Sequence, residues 1–130
     1  MSRFLAAAGF HGVLAVAFGA WSAHGAAATL PPQAVEWVKT GASYQLWHAV
    51  ALLGIAALSA RQPVRLVTIS GLAFFLGALL FSGSLYLLAL VPADPTAGPS
   101  AFVYVTPLGG GLLILGWVLL LAAGLKKGSL

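Results

Sequence analysis

Histidine, tyrosine, glutamine and hydroxyl side chains recur at helical spacing in an otherwise apolar chain. Tyr44 and His48 are four residues apart with Gln45 between them, and Ser82 and Tyr86 repeat that spacing further along. Side chains at i and i+4 lie on one face of a helix. Within a membrane such groups could hold helices together by hydrogen bonds. They could also bind a metal, haem, a quinone, a lipid head group or a permeating ion.

Acidic residues and cysteine, which many enzymes need, are scarce. The acids are Glu36 and Asp94, both outside the apolar stretches, and there is no cysteine. No carboxylate is therefore placed to orient a catalytic base, and no thiolate can bind a metal. The glycines at 109–111 lack the lysine and the serine or threonine of a phosphate-binding loop. We predict no catalytic residue, no metal site and no cofactor, and the pattern favours a protein that is not an enzyme.

The composition indicates that these residues are positioned by helices in a membrane. The chain is 61% hydrophobic and 6% charged, whereas roughly 25% of an average soluble domain is charged. Four apolar stretches, at about 4–23, 41–60, 64–91 and 107–125, are each long enough to cross the bilayer. We predict an all-α, four-helix transmembrane bundle in one domain, residues 1–130. The net charge of +4 is too thinly spread for a nucleic-acid partner.

The basic residues predict the direction of the spans. Five of six lie at the amino terminus, in the second connection or at the carboxyl terminus: Arg3, Arg61, Arg65, Lys126 and Lys127. In a four-span chain all of these face one side, and Lys and Arg near span ends are retained in the cytoplasm. The exception, Lys39, has Glu36 three residues before it as a neutralising neighbour. We predict that both termini are cytoplasmic.

Two segments have further interpretations. The first span could be a cleavable signal peptide, but an apolar stretch of about 20 residues is longer than the roughly 7–15 residues of a signal h-region. The segment Pro31–Thr40 in the first outer loop is amphipathic, with Val35, Trp37 and Val38 among polar residues. We expect it to form a short helix at the outer interface or to lead straight into the second span.

With this direction, most intramembrane polar residues fall in the outer half of the bundle. They form one candidate cluster: His24, Tyr44, Gln45, His48, Ser82, Ser84, Tyr86 and Thr106. Polar groups in hydrocarbon need internal partners, so we expect them to face one another. Hydrogen-bonded clamps between helices are favoured over a ligand site, and haem or a metal between His24 and His48 is a further alternative. His11, alone in the inner half, is interpreted as a packing residue.

Small residues predict where the helices approach one another, because helices in lipid pack closely where side chains are small. Ala8, Gly12, Ala15 and Gly19 follow a 4-3-4 spacing, and Ser70, Gly77 and Ser84 repeat every seven residues. The predicted packing glycines are Gly12, Gly19, Gly77, Gly83, Gly109, Gly110 and Gly116.

Four ordered blocks, one from each span, resemble the family of small bacterial membrane proteins, with eukaryotic relatives, grouped as domain of unknown function four-two-three. Gly19-Ala20-Trp21-Ser22-Ala23-His24-Gly25 is similar to its G-A-F-G-A-H-G signature, and Tyr44-Gln45 with His48-Ala49 to Y-Q-x-x-H-A. Phe81-Ser82-Gly83-Ser84-Leu85-Tyr86 resembles F-S-G-S-x-Y, and Thr106-Pro107-Leu108-Gly109-Gly110 with Gly116-Trp117 resembles T-P-x-G-G…G-W. Ser22 stands where glycine is more common, and Gly41 where alanine is usual. The resemblance implies a four-helix protein of the bacterial inner (plasma) membrane and brings no established activity.

Three hypotheses about function follow. The favoured one is a non-enzymatic membrane protein that associates with membrane lipid, with itself as a homo-oligomer, or with a larger membrane complex. The second is a small transporter or channel with the polar cluster as its vestibule. The third is a redox component that binds haem, a metal or a quinone through His24 and His48.

Overall fold

The structure, a computed structural model, describes residues 3–61, 64–91, 94, 96 and 99–126. Within them it contains four long helices: α1 (Arg3–His24), α2 (Pro32–Arg61), α3 (Arg65–Leu90) and α4 (Phe102–Leu125). A single 3₁₀ turn, Ala26–Ala28, follows α1. All four helices are long and apolar enough to cross a membrane. The predicted all-α fold with four candidate spans is therefore confirmed.

The helix of the second span includes the segment before it, which we expected either as a short interfacial helix or as a direct lead into that span. α2 begins at Pro32, so residues 32–40 continue into the second span without a break, and their position at a membrane interface stays a prediction. Proline suits this first helical position because its missing N–H would have no partner there. The carbonyl oxygen of Pro31 accepts from the N–H groups of Ala34 and Val35 at 3.0 and 3.2 Å.

α4 also begins five residues before the predicted start at Pro107, which lies inside the helix. The helix therefore extends before the predicted apolar stretch, 107–125, and Pro107 is one of its interior residues. Proline is tolerated inside membrane helices where nearby hydroxyl groups and neighbouring helices satisfy the backbone. Because Pro107 lacks an N–H, it cannot donate to the carbonyl oxygen of Val103, four residues earlier. The Thr106 hydroxyl donates to the adjacent carbonyl oxygen, that of Phe102, at 3.2 Å. The N–H groups of Val103 and Tyr104 bond three residues back, so a tight first turn precedes the proline.

Helices that are neighbours in sequence are also neighbours in space. α1 packs on α2, α2 on α3 and α3 on α4, while α1 approaches α3 at few positions. Within the described residues, the backbones of α1 and α4 do not come close. The core lies around Phe74, Leu52 and Ile55, all almost fully buried. Most of α1 and α4 is not covered by the rest of the chain, as suits helices that face lipid.

The bundle has two ends, which we name for the features they carry. The loop end carries residues 25–31, Asp94 and the start of α4, and the terminal end carries Arg3, Arg65 and Lys126. The charge is separated between them, since both acidic residues of the chain, Glu36 and Asp94, belong to the loop end.

Glycine allows α3 and α4 to pack with their backbones close together. A Cβ at Gly109 would overlap the backbone of Phe81, and one at Gly77 would lie 2.9 Å from the backbone nitrogen of Leu113. A Cβ at Gly116 would lie 2.6 Å from the Phe74 ring. The glycines of each helix thus receive large side chains of the other, in an antiparallel register in which residue 77 faces residue 113.

The remaining predicted packing glycines lie in looser surroundings. A Cβ at Gly19 would meet Ala42 at 3.8 Å, and one at Gly110 would meet the Phe81 ring at 3.7 Å. At Gly12 and Gly83 an added Cβ would meet nothing within 4 Å. This differs from the prediction that these two glycines lie where helices pack closely. Gly71 was not predicted as a close contact, yet a Cβ there would lie 2.5 Å from the Phe4 ring.

Candidate functional site

A buried chain of hydrogen bonds joins α1, α2 and α3. The hydroxyl of Tyr86 donates to Oε1 of Gln45 at 2.7 Å, and Nε2 of Gln45 lies 3.0 Å from Nδ1 of His11. Nε2 of His11 then lies 3.2 Å from the carbonyl oxygen of Phe75. All three side chains are at most 5% exposed. We call this set the His11–Gln45–Tyr86 chain.

The amide of Gln45 fixes every proton in the His11–Gln45–Tyr86 chain. The amide nitrogen can only donate, so Nδ1 of His11 must accept. The single proton of a neutral imidazole is then on Nε2, which donates to the Phe75 carbonyl. The Gln45 carbonyl oxygen is left free to accept from the tyrosine hydroxyl. All three groups are thus paired without any charge, as groups in hydrocarbon should be.

His48 links α2 to α4 in the same way. The indole N–H of Trp117 donates to Nε2 of His48 at 3.1 Å, and Nδ1 of His48 lies 2.7 Å from the carbonyl oxygen of Tyr44. An indole N–H is only a donor, so His48 is neutral and carries its proton on Nδ1. The Phe74 ring packs on both partners, with centroid distances of 5.4 Å to His48 and 4.8 Å to Trp117.

Hydroxyl groups on α3 form the remaining ties. The Ser84 and Thr106 hydroxyls lie 2.7 Å apart and join α3 to α4. Ser82 donates to the carbonyl oxygen of Gly41 at 2.7 Å, and Ser70 to that of Gly116 at 2.8 Å. Each tie ends at a glycine or a small side chain. The close backbone approach is therefore what brings the hydroxyls within reach.

Two predicted members of the cluster stand apart from it. His24 is exposed at the end of α1, and the side chain of Tyr44 is 46% exposed, with its ring 4.7 Å from that of Phe81. The ring of His48 faces Trp117 of α4, a helix that α1 does not approach in the described part of the chain. Both ring nitrogens of His48 are already hydrogen-bonded. A metal or haem would have to displace one of those partners.

The predicted single cluster is thus a set of separate ties, which together join α1 to α2, α2 to α3, α2 to α4 and α3 to α4. Sequence reasoning placed His11 apart from the cluster, although it bonds directly to Gln45. Its spacing of three and four residues from Ala8 and Ala15, both buried, could have indicated that it faces the core. Nor did the sequence pair Trp117 with His48. No local pattern links residues 69 positions apart.

Within the part of the chain that the structure describes, the acidic residues make only local contacts. Lys39 donates to Glu36 at 2.8 Å in an exposed ion pair, the neighbour that the sequence suggested. In the connection before α4, Asp94 accepts hydrogen bonds from the hydroxyl and the backbone N–H of Thr96 at 2.6 and 2.8 Å. These bonds hold the pKa of the Asp94 carboxyl below its usual value. Neither acid reaches the intramembrane ties.

Comparison with known proteins identifies relatives over the whole length of the chain. A family model described as protein of unknown function (DUF423) matches residues 18–110. The UPF0382 membrane protein of Haemophilus influenzae is 36% identical over 129 residues, 99% of this chain and 98% of the relative. The UPF0382 inner membrane protein YgdD of Escherichia coli is 36% identical over 126 residues, 96% of this chain and 92% of the relative. No solved structure matches.

Proposed function

The chain belongs to the DUF423 family and is a multi-pass protein of the bacterial inner membrane, and from that premise we propose that it acts by association rather than by chemistry. Its partner is a second copy, membrane lipid or a larger membrane complex. The observation that carries this proposal is the pairing of the buried histidines and glutamine with other groups of the same chain.

The outward surface supports the proposal. Large apolar side chains on α1 and α4 point away from the core, among them Val13, Val16, Ile114 and Leu121, each more than 60% exposed. The buried polar side chains of the spans tie helices together, whereas Tyr44 and Tyr104 are exposed. The part of the molecule that other membrane components can reach is therefore its apolar outer face.

The transporter or channel hypothesis requires a polar path through the bundle. The His11–Gln45–Tyr86 chain is continuous, but an amide lies at its centre. The amide nitrogen of Gln45 donates and has no lone pair with which to accept a proton, so a proton cannot be handed from Tyr86 to His11 through it. This favours a clamp over a relay.

The redox hypothesis requires an accessible ligand atom. Ligation through His48 would break its bond to Trp117 or to the Tyr44 carbonyl, and His24 is exposed at the end of α1. Metal-binding histidines normally use one nitrogen for the metal and the other for an orienting partner. Here both positions are occupied by protein groups.

The test is to extract the tagged chain with its surrounding lipid in copolymer nanodiscs and to analyse the particles by native mass spectrometry. We expect more than one copy, a second protein, or lipid retained at fixed stoichiometry after exchange into detergent. Strictly monomeric chain with no retained molecule would contradict the proposal.

Two measurements address the alternatives in the same preparation. We expect no Soret absorption band, and we expect proteoliposomes to hold a pH gradient as long as empty liposomes do. The Gln45→Met variant serves as the control for leakage. A gradient that collapses with the native chain and persists with Gln45→Met would replace association with transport.

A further inference from the structure

A groove at the terminal end of the bundle has apolar walls and a cationic side chain at one end. It has a volume of about 360 Å³ and lies between α1 and α3, lined by Ala6, Ala7 and Phe10 on one side and by Leu72 and Phe75 on the other. Arg3, the first residue of α1, lines the end of the groove nearest the chain termini. We call it the α1–α3 groove. Its volume is within the roughly 300–1,000 Å³ of sites that bind small molecules.

The sequence keeps this groove open. Phe4 is 5% exposed and wedges between the helices, with its ring over Gly71, where a Cβ would lie 2.5 Å from the ring. The alanines that follow it, Ala6 and Ala7, are too small to reach across to α3. At the other end of the groove, His11 lies against Phe10 and Phe75, with centroid distances of 5.3 and 5.1 Å.

The walls of the groove are accessible from the surrounding bilayer. Ala6 is exposed, and Phe10 and Leu72 are 47% and 45% exposed. A molecule that already lies in the membrane can therefore enter from the side. Apart from Arg3, the walls offer almost no polar group. The part of the occupant that fills the groove must therefore be apolar.

Arg3 is held at the end of the groove nearest the chain termini and lacks an acidic partner side chain. Its guanidinium carbon lies 5.4 Å from the centroid of the Phe4 ring, a cation–π contact that limits its motion. Both acidic side chains of the sequence, Glu36 and Asp94, are at the opposite end of the bundle. Arg61 and Arg65 add positive charge at the same end. An anionic group is the natural complement.

We propose that the α1–α3 groove binds an anionic phospholipid, with one acyl chain between Phe10 and Phe75 and the phosphate at Arg3. Arginine suits this task because its planar guanidinium binds phosphate through two parallel hydrogen bonds. Basic pockets between membrane helices on the cytoplasmic side bind anionic head groups, and the predicted topology puts Arg3 on that side. This proposal rests on the proposed function in one respect, since it names an anionic phospholipid as the partner.

The experiment measures lipid binding to the full-length chain in a neutral detergent by native mass spectrometry. Dioleoyl phosphatidylglycerol and dioleoyl phosphatidylcholine are added in equal amounts. We expect the anionic lipid to bind about fivefold more tightly, the gain expected from one basic residue near a membrane surface. Inorganic phosphate at the same concentration should not displace it, because phosphate alone cannot fill the apolar groove.

Two pairs of variants locate the site. Arg3→Gln should lose the preference for phosphatidylglycerol, whereas Arg65→Gln, which removes the same charge from the same end, should keep it. Ala6→Phe should fill the groove and lose both lipids, whereas Ala17→Phe, at another exposed position on α1, should bind as the native chain does. Circular dichroism of each variant checks that its helices are intact.

Equal effects of Arg3→Gln and Arg65→Gln would show diffuse surface attraction and overturn the proposal, as would normal binding by Ala6→Phe. In either case, bound lipid would still support association as the function. A chain that forms dimers but retains no phosphatidylglycerol would likewise overturn the groove proposal and leave the proposed function standing.

Discussion

At the scale of single residues, the structural role of each polar side chain depends on its hydrogen-bond partner. Gln45 is the clearest case because it uses its donor towards α1 and its acceptor towards α3. A leucine at this position would suit an apolar interior, yet it would satisfy neither His11 nor Tyr86. The uncharged amide supplies the donor and the acceptor from one side chain.

Gln45→Met should therefore destabilise the bundle by about 1–3 kcal/mol, because it keeps the side-chain volume but leaves two buried polar atoms unpaired. The measurement is unfolding in mixed micelles with increasing SDS, followed by circular dichroism. Ser43→Ala is the matched control, since Ser43 is an exposed neighbour on the same helix. A Gln45→Met protein as stable as the native one would show that the His11–Gln45–Tyr86 chain contributes no net stability.

The proton on His48 gives a second prediction at this scale. We expect a neutral ring with the proton on Nδ1, because Nε2 accepts from Trp117. Solid-state NMR of ¹⁵N-labelled protein distinguishes the two nitrogens. In Trp117→Phe, which keeps the ring against Phe74 and removes the donor, the Nε2 signal should shift while His11 stays unchanged. A native protein with the proton on Nε2 would contradict the assignment.

The sequence predicted most residues of these ties but not their pairing. Helical spacing and depth identified Gln45, His48 and Tyr86, and the rule that polar groups in hydrocarbon need partners predicted that they would be satisfied. Which partner each one takes depends on the rotation of each helix about its axis. That rotation is set by contacts between distant segments, so His11 and Trp117 were not assigned to their partners.

At the scale of helices, α3 is the element on which the others depend. It contacts every other long helix, and its glycines and serines alternate with phenylalanines that enter α4. The seven-residue repeat of small residues predicted this face correctly at Gly77. The repeat proposed for α1 placed Gly12 on the packing face, whereas His11, one position earlier, is the buried residue. A one-residue change rotates a helix by about 100°, so an added Cβ at Gly12 meets nothing within 4 Å although Ala8 and Ala15 of the same repeat are buried.

Gly109→Ala should separate α3 from α4, because the added methyl group would overlap the Phe81 backbone, which has no side-chain freedom with which to move away. Overpacking of this kind costs about 1–3 kcal/mol or more. SDS-dependent unfolding of the purified variant measures the loss. Gly111→Ala, two residues further on with nothing within 4 Å of its Cβ, should unfold as the native chain does. Equal behaviour of the two variants would contradict the close approach.

The outer helices have a different role. α1 and α4 each use one face for packing and present the other outside the bundle, with Leu5, Val13, Val16, Ile114 and Leu121 all more than half exposed. These exposed apolar side chains add little to packing within the bundle. Under the proposed function these positions face the partner, so a binding measurement tests them.

At the scale of the whole molecule, charge separation along the bundle is the main asymmetry. The α1–α3 groove and the cations Arg3, Arg61 and Arg65 lie at one end, and Glu36 and Asp94 lie at the other. Composition and the lengths of the apolar stretches were sufficient to predict four spans. They could not predict the early start of α4, because Pro107 resembles a helix start until its neighbours in the bundle are known.

The positive-inside rule turns this asymmetry into a testable orientation. Basic residues near span ends remain in the cytoplasm, so the terminal end should be cytoplasmic and the loop end periplasmic. The chain has no cysteine, so a single cysteine can be introduced at Thr96 or at Arg61. Both positions are exposed, Thr96 in the connection before α4 and Arg61 at the end of α2. In intact spheroplasts a membrane-impermeant maleimide should label Thr96→Cys and should label Arg61→Cys only after lysis. The reversed pattern would place Arg3 in the outer leaflet, where the proposed phospholipid site would have to be sought instead.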